Sequence, residues 1–163
     1  VTRVYISLGS NIEREYHIQA AMTELRKLGA HYRASRIFEA EPVGFSGPNF
    51  FNCVVEIETS LALDMLQQTL KQLELQYGRS PNAQKNQSRT LDLDILLFGE
   101  ELRESAPAVP RSDLYKFAFV LWPMAELCPD LAIPGDGRTI GQLWLAFEHT
   151  QALWPVELVT EDN

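Results

Sequence analysis

The run RTLDLDILLFG, Arg89 to Gly99, reads as a β-strand with two carboxylates set into it. Leu91, Leu93 and Ile95 alternate with Asp92 and Asp94, the period-2 pattern of a strand with one buried face. Leu96 and Phe98 extend the aspartate side, so that side is expected to be partly covered rather than simply solvated. Ionised carboxylates in such a setting need compensation. Strand residues two apart lie about 6.6 Å from each other along the chain. Asp92 and Asp94 can therefore converge on one Mg2+ or on a pair of ions about 3.5–4 Å apart. The spacing alone admits a second reading, an exposed sheet face on which two aspartates keep the edge soluble.

Working outward, three earlier strands and two helices lead up to this one. Val4, Ile6 and Leu8 alternate with Tyr5 and Ser7 ahead of the turn residues Gly9, Ser10 and Asn11, a first strand. Ile18, Ala21, Met22, Leu25 and Leu28 recur at helical spacing, and Gly29 is a natural stop. A second strand is expected from about Tyr32 to Phe38 and a third over Asn52 to Glu58, with Cys53, Val55 and Ile57 on one face and Glu56 and Glu58 on the other. Leu63, Leu66, Leu70, Leu73 and Tyr77 form one helical stripe that ends at Gly78. The order β-α-β-β-α-β predicts an α+β, ferredoxin-like fold, an antiparallel sheet with helices on one face.

Beyond Gly99, Val120, Leu121, Met124, Leu127 and Cys128 suit an additional C-terminal helix with Pro123 near its first turn or at a kink. Thr139 to Gln142 is a capping box opening another, ahead of Leu143, Trp144 and Phe147. One domain over residues 1–163 is expected from the length.

Charge narrows the function. With 14 Lys and Arg against 22 Asp and Glu the net charge is −8, which argues against nucleic acid or anionic membrane as a general partner. An anionic ligand must then meet a local cluster. The segment from Lys71 to Arg89 is one, with Lys71, Arg79, Lys85 and Arg89 against the single acid Glu74. A basic island directly before two aspartates suits a polyphosphate carried with Mg2+; a well-solvated basic loop is the other reading. Neither a P-loop nor a dinucleotide-binding glycine motif is present, so side chains and metal would have to hold phosphate.

Phe45, Phe50, Phe51 and Phe119 with Asn52 would suit a flat ligand, the rings stacking and the amide reading a donor–acceptor edge, although phenylalanines also serve as core. Cys53 and Cys128 lie in apolar stretches, as buried free thiols do. His17, His31 and His149 show no metal-ligand spacing, and no role is assigned to His17. The opening VTRVYISLGSNIERE lacks a signal-peptide pattern and no stretch reaches the length of a membrane span, so a cytoplasmic protein, expected to be a monomer, is the reading.

Together RTLDLDILLFG, YISLGSN near the start, EPVGFSGPNFFN in the middle and FVLWPMAELCPDL near the end resemble the 6-hydroxymethyl-7,8-dihydropterin pyrophosphokinase family of folate biosynthesis, in the right order over nearly the whole chain. The resemblance implies transfer of the β,γ-pyrophosphoryl group of ATP to a reduced pterin with release of AMP. It implies that Asp92 and Asp94 hold two Mg2+ ions, and that Asn52 and Phe119 read and stack the pterin, with Val43 in the loop at its edge. Lys71 and Glu74 fall on the helix facing the nucleotide, Arg79 at its end, Arg89 on the phosphate side, and Ile95 on the adenine side.

Departures from the family pattern cluster. Pro81 stands where the typical enzyme has an arginine, Asn86 where it has a tryptophan, Gln87 where it has a small residue, Arg111 where it has a histidine, and Phe117 where it has an arginine. Arg111 can still donate to phosphate. The loop changes leave a second function open, a catalytically weak relative that binds pterin or nucleotide. An RNA-binding domain of the same element order would need a basic sheet with exposed aromatics, against which Glu56 and Glu58 stand.

Overall fold

The computed structural model describes residues 1–79 and 87–158. Its sheet is built from β1 (Thr2–Ser10), β2 (Ala30–Ala34), β3 (Ile37–Ala40), β4 (Phe50–Thr59), β5 (Asp92–Phe98) and β6 (Leu153–Val156). All the pairings are antiparallel, in the order β5-β1-β4-β3-β6, with β2 also on β4. The helices are α1 (Arg14–Arg26), α2 (Leu63–Gln76), α3 (Asp113–Lys116), α4 (Ala118–Leu127) and α5 (Ile140–Ala146). The ferredoxin-like order is therefore present, with β6 added at the edge beside β3.

One face of the sheet packs on α1 and α2. Val4, Ile6 and Leu8 of β1, Cys53, Val55 and Ile57 of β4, and Leu93 and Ile95 of β5 meet Ile18 and Leu25 of α1 and Leu66 and Leu70 of α2. Each such fully buried aliphatic side chain contributes about 1.5–3 kcal/mol. Gly29 admits the close approach of the chain after α1, because a Cβ there would lie 2.3 Å from the Glu58 carbonyl oxygen.

The opposite face is also covered, which corrects the one-sided arrangement expected from element order. Tyr5, Val54, Leu96 and Leu97 pack there on Leu114 of α3, Leu121 and Met124 of α4 and Leu143 of α5. Pro123 sits inside α4, and the Thr139–Gln142 capping box opens α5.

The expected strand over 32–38 is two strands. Ser35 breaks it: its N–H donates to the Val54 carbonyl at 2.9 Å and its hydroxyl accepts the Val54 N–H at 3.0 Å.

β5 carries a bulge that its apolar alternation did not predict. Ile6 pairs with Ile95 but Tyr5 with Leu97, so Leu96 is an extra residue in β5. Such a bulge reverses the alternation beyond it. Leu96 and Leu97 lie on the aspartate side, whereas Phe98 turns to the α1/α2 core. Phe51 is likewise in that core, not with the other aromatic candidates.

His17 is accounted for structurally. Glu13 begins α1 with a left-handed φ of 44°, and the buried His17 places Nδ1 2.6 Å from the Ile12 carbonyl oxygen across that turn. Both cysteines are buried free thiols.

Candidate functional site

Strand register composes the site. Gly9 of β1 stands opposite Asn52 of β4 and, on its other side, opposite Asp92 of β5. One row across three strands thus carries an amide, a bare backbone position and a carboxylate, with the outer two separated by roughly 10 Å, two strand spacings. The next row sets Ser7 against Asp94. At Gly9 a side chain would crowd the amide, since a Cβ there would lie 3.0 Å from Asn52 Oδ1.

This row floors a cavity of about 410 Å³. Its walls come from the connector before β4 (Pro42, Val43, Phe45) and Phe50 of β4, from the stretch through α3 to the start of α4 (Arg111, Lys116, Phe117, Phe119), and from the α2–β5 side (Lys71, Arg79, Arg89).

At the Asn52 end the surroundings are flat and apolar. Asn52 is 3% exposed, and its Nδ2 has no hydrogen-bond partner among the described residues. A buried donor left this way costs about 1–3 kcal/mol unless a ligand accepts from it. Phe119 stacks on Phe117 with ring centroids 5.0 Å apart at 25°, and Phe50 meets Phe45 edge-on at 6.2 Å.

The Asp92 end is dense with charge. Arg79 Nη1 lies 2.9 Å from Asp92 Oδ1 and 3.1 Å from Glu74 Oε1. Arg111 Nη2 lies 3.5 Å from Asp94 Oδ1, and its Nε lies 3.2 Å from Asp113 Oδ2. Glu74, 1% exposed, accepts the Leu93 N–H at 2.7 Å and faces Lys71 Nζ at 3.3 Å. It fastens α2 to the outer edge of β5. Gly78, at φ +100°, turns the chain at the end of α2, just ahead of Arg79.

Arg89 is placed by Asn11, whose side-chain Oδ1 accepts the Arg89 backbone N–H at 2.7 Å while the Asn11 backbone N–H donates to the Arg89 carbonyl at 3.0 Å.

Burial and like charges push three of these groups toward their neutral forms, and Arg111 is the exception. Burial, with Asp92 beside it, pushes the Asp94 carboxyl up to about 7, against the pull of Arg111. Burial also raises Glu74, opposed by the Leu93 N–H. Burial and the neighbouring Arg79 charge lower the Arg89 guanidinium. For Arg111, burial works against the charge, but Asp94 and Asp113 outweigh it and hold the group above its ordinary value. A phosphate entering beside Arg79 and Arg89 would relieve their repulsion, and a divalent cation would relieve that of Asp92 and Asp94.

The donor set suits Mg2+. Asp92 and Asp94 offer hard carboxylate oxygens from one face, and among the described residues no group of three or more His, Cys, Asp or Glu is arranged for a metal. Two protein carboxylates leave the remaining coordination to phosphate and water, as Mg2+ requires.

Residues 5–129 match the model of the 7,8-dihydro-6-hydroxymethylpterin-pyrophosphokinase family. The chain belongs to this family. It is 41% identical over 152 residues to the 2-amino-4-hydroxy-6-hydroxymethyldihydropteridine pyrophosphokinase of Pseudomonas aeruginosa, covering 90% of this chain and 92% of the relative. The Bacillus subtilis protein of the same name is 40% identical over 129 residues, covering 76% and 77%. Among solved structures, Plasmodium falciparum HPPK-DHPS superposes with a TM-score of 0.66 at 12% identity, over 90% of this chain and 43% of that one. That likeness concerns the fold.

Nine of the eleven residues carried over from the pyrophosphokinase resemblance line the cavity, as does Phe50 of the aromatic group. The two outside it are Glu74, buried behind Arg79, and Ile95, whose side chain belongs to the α1/α2 core. The Ile95 side chain therefore does not face this cavity. Of the departures, Pro81 and Asn86 lie outside the described residues, as does Lys85, while Gln87 lines the cavity. Phe117 has become a second ring on Phe119, and a cation stands one position earlier, at Lys116.

Sequence reasoning missed Gly9, Asn11, Asp113 and Lys116. Gly9 and Asn11 had a visible signal, a Gly-Ser-Asn run expected to close the first strand, but β1 runs on through Ser10 and their site role depends on β4 and on Arg89. Asp113 and Lys116 had none, since nothing local tells which face of a four-residue helix meets the cavity.

Proposed function

We propose that this chain carries out the reaction of its family at this cavity: the hydroxymethyl oxygen of a reduced pterin attacks the β-phosphorus of ATP, the pyrophosphoryl group is transferred, and AMP leaves. The observation that carries this reading is the row Asn52–Gly9–Asp92, with Asp94 in the next row, which puts a buried Nδ2 that has no partner among the described residues on one floor with the carboxylate pair.

In this reading Asn52 donates Nδ2 to the pterin edge, Phe119 and Phe50 contribute rings from α4 and β4, and Val43 bounds the edge from the connector. Gly9 leaves room between the two substrates. Arg79, Arg89, Arg111 and Lys71 neutralise phosphate oxygens and align the chain of phosphates for in-line attack. Glu74 positions Arg79 and Lys71. Asp92 and Asp94 would hold two Mg2+ ions, which supply charge neutralisation on the phosphoryl group when bound.

Two relatives near 40% identity that are named pyrophosphokinases favour turnover over a binding-only role. We extend the reading to one domain acting as a cytoplasmic monomer on free small molecules. The net charge of −8 supports the absence of nucleic-acid and anionic-membrane partners. Among the described residues no helix is long and apolar enough to cross a membrane.

The test is AMP release from ATP in the presence of Mg2+ and 6-hydroxymethyl-7,8-dihydropterin. Pterin-dependent AMP is the expected result. Binding of both substrates without AMP would overturn the reading in favour of a binding module.

A further inference from the structure

Each of the two aspartates is held by an arginine, and each of those arginines has a second acid of its own. Arg79 bridges Asp92 and Glu74, at 2.9 and 3.1 Å. Arg111 bridges Asp94 and Asp113, at 3.5 and 3.2 Å. The two second acids are anchored differently from the aspartates. Glu74 is locked to the Leu93 N–H of β5, and Asp113 stands in the first turn of α3. Arg111 is further fixed by its own N–H, which donates to the Leu96 carbonyl at 2.9 Å. Either guanidinium can release its aspartate without leaving the cavity, because its five N–H donors outnumber the bonds it would lose.

The charge balance says when release is favourable. A divalent cation arriving alone must displace guanidiniums that then face no new anion. A triphosphate arriving alone meets the guanidiniums already engaged and two carboxylates of its own sign. Arriving together, the cation takes the carboxylates and the phosphate oxygens take the guanidiniums, so every charge keeps a partner in a site of low dielectric.

We propose that Arg79 and Arg111 are exchangeable countercharges. In the protein alone they occupy Asp92 and Asp94, and they pass to phosphate as the aspartates pass to the metal, so that metal and nucleotide bind tightly only as a pair. The proposal rests on the reading of Asp92 and Asp94 as the Mg2+ ligands. It assigns to Glu74 and Asp113 the role of retaining the arginines during the exchange.

The experiment measures Mn2+ binding to the intact protein by the loss of the free-ion electron paramagnetic resonance signal, with and without α,β-methylene-ATP. The wild-type protein is expected to bind Mn2+ roughly tenfold more tightly with the analogue than without it, an ordinary coupling between ligands. Arg111→Met and Arg79→Met are expected to tighten Mn2+ binding in the absence of nucleotide by roughly fivefold to tenfold while weakening the analogue, which shrinks the coupling. Arg111→Lys, which keeps the charge, should stay near wild type for Mn2+ alone, and this separates loss of a competing cation from loss of structure.

Mn2+ bound with the analogue but no tighter in either Met variant than in wild type would overturn the exchange and leave the metal site standing. No Mn2+ bound even with the analogue would overturn the metal assignment and the exchange together.

Discussion

The two ends of the cavity are built on the same three strands yet solve opposite problems. At the Asp92 end every carboxylate already has a cation, through Arg79 and Arg111, so a ligand gains by exchanging partners. At the Asn52 end a buried amide donor has no partner among the described residues, so a ligand gains by supplying one. Binding at the flat end should therefore be local and additive, whereas binding at the charged end should be cooperative and sensitive to every member of the network.

The largest expected effect strikes the charged end. Asp94→Ala should lower pterin-dependent AMP release about a thousandfold or more while the far-ultraviolet circular dichroism stays native. Pterin binding measured calorimetrically without nucleotide should be little changed; a loss there as large as the catalytic one would erase the distinction between the ends.

Asn52→Ala comes next, at the flat end. Losing a hydrogen bond made in a buried site costs about 1–3 kcal/mol, or roughly 5- to 150-fold in pterin Kd. Affinity for α,β-methylene-ATP with Mg2+ should hold within about twofold, on the additivity expected of separate sites.

Gly9→Ala sharpens the comparison from between the two. The added Cβ would lie 3.0 Å from Asn52 Oδ1 and 3.8 Å from the Phe50 ring, both on the pterin side. The expected outcome is a several-fold rise in KM for pterin with KM for ATP unchanged, readable from steady-state kinetics.

The smallest effect is one of stability. Burial and Asp92 lift Asp94 to about 7, above the value of about 3.9 for an unfolded aspartate. Between those two values the folded protein keeps a proton that the unfolded chain has released, so this group stabilises the fold at low pH and its contribution declines as pH rises towards 7. Asp94→Asn removes the titration. In urea unfolding with chelator present, the stability of the variant relative to wild type should rise with pH across that window and level off above it. A difference independent of pH would mean that Asp94 titrates at its unfolded value.

Much of this was legible in the chain. The order of strands and helices followed from apolar periodicity, because a period of 2 or 3.6 is local and survives folding whenever one face is buried. The aspartate pair and the basic segment before it were legible for the same reason, as residue types at fixed spacing. The division of 32–38 into two strands was not, since Ser35 acts through the backbone of Val54 in another strand.

What the residues determined by themselves was the set of chemical groups and the face of β5 on which Asp92 and Asp94 emerge. Tertiary structure decided which groups meet. An extra residue at Leu96 sent Phe98 into the α1/α2 core, and Lys116 and Asp113 came to the cavity from α3. The physical reason is that side-chain alternation is set by neighbouring residues, whereas the register of one strand against another, and the face a distant helix covers, depend on packing that no short window contains.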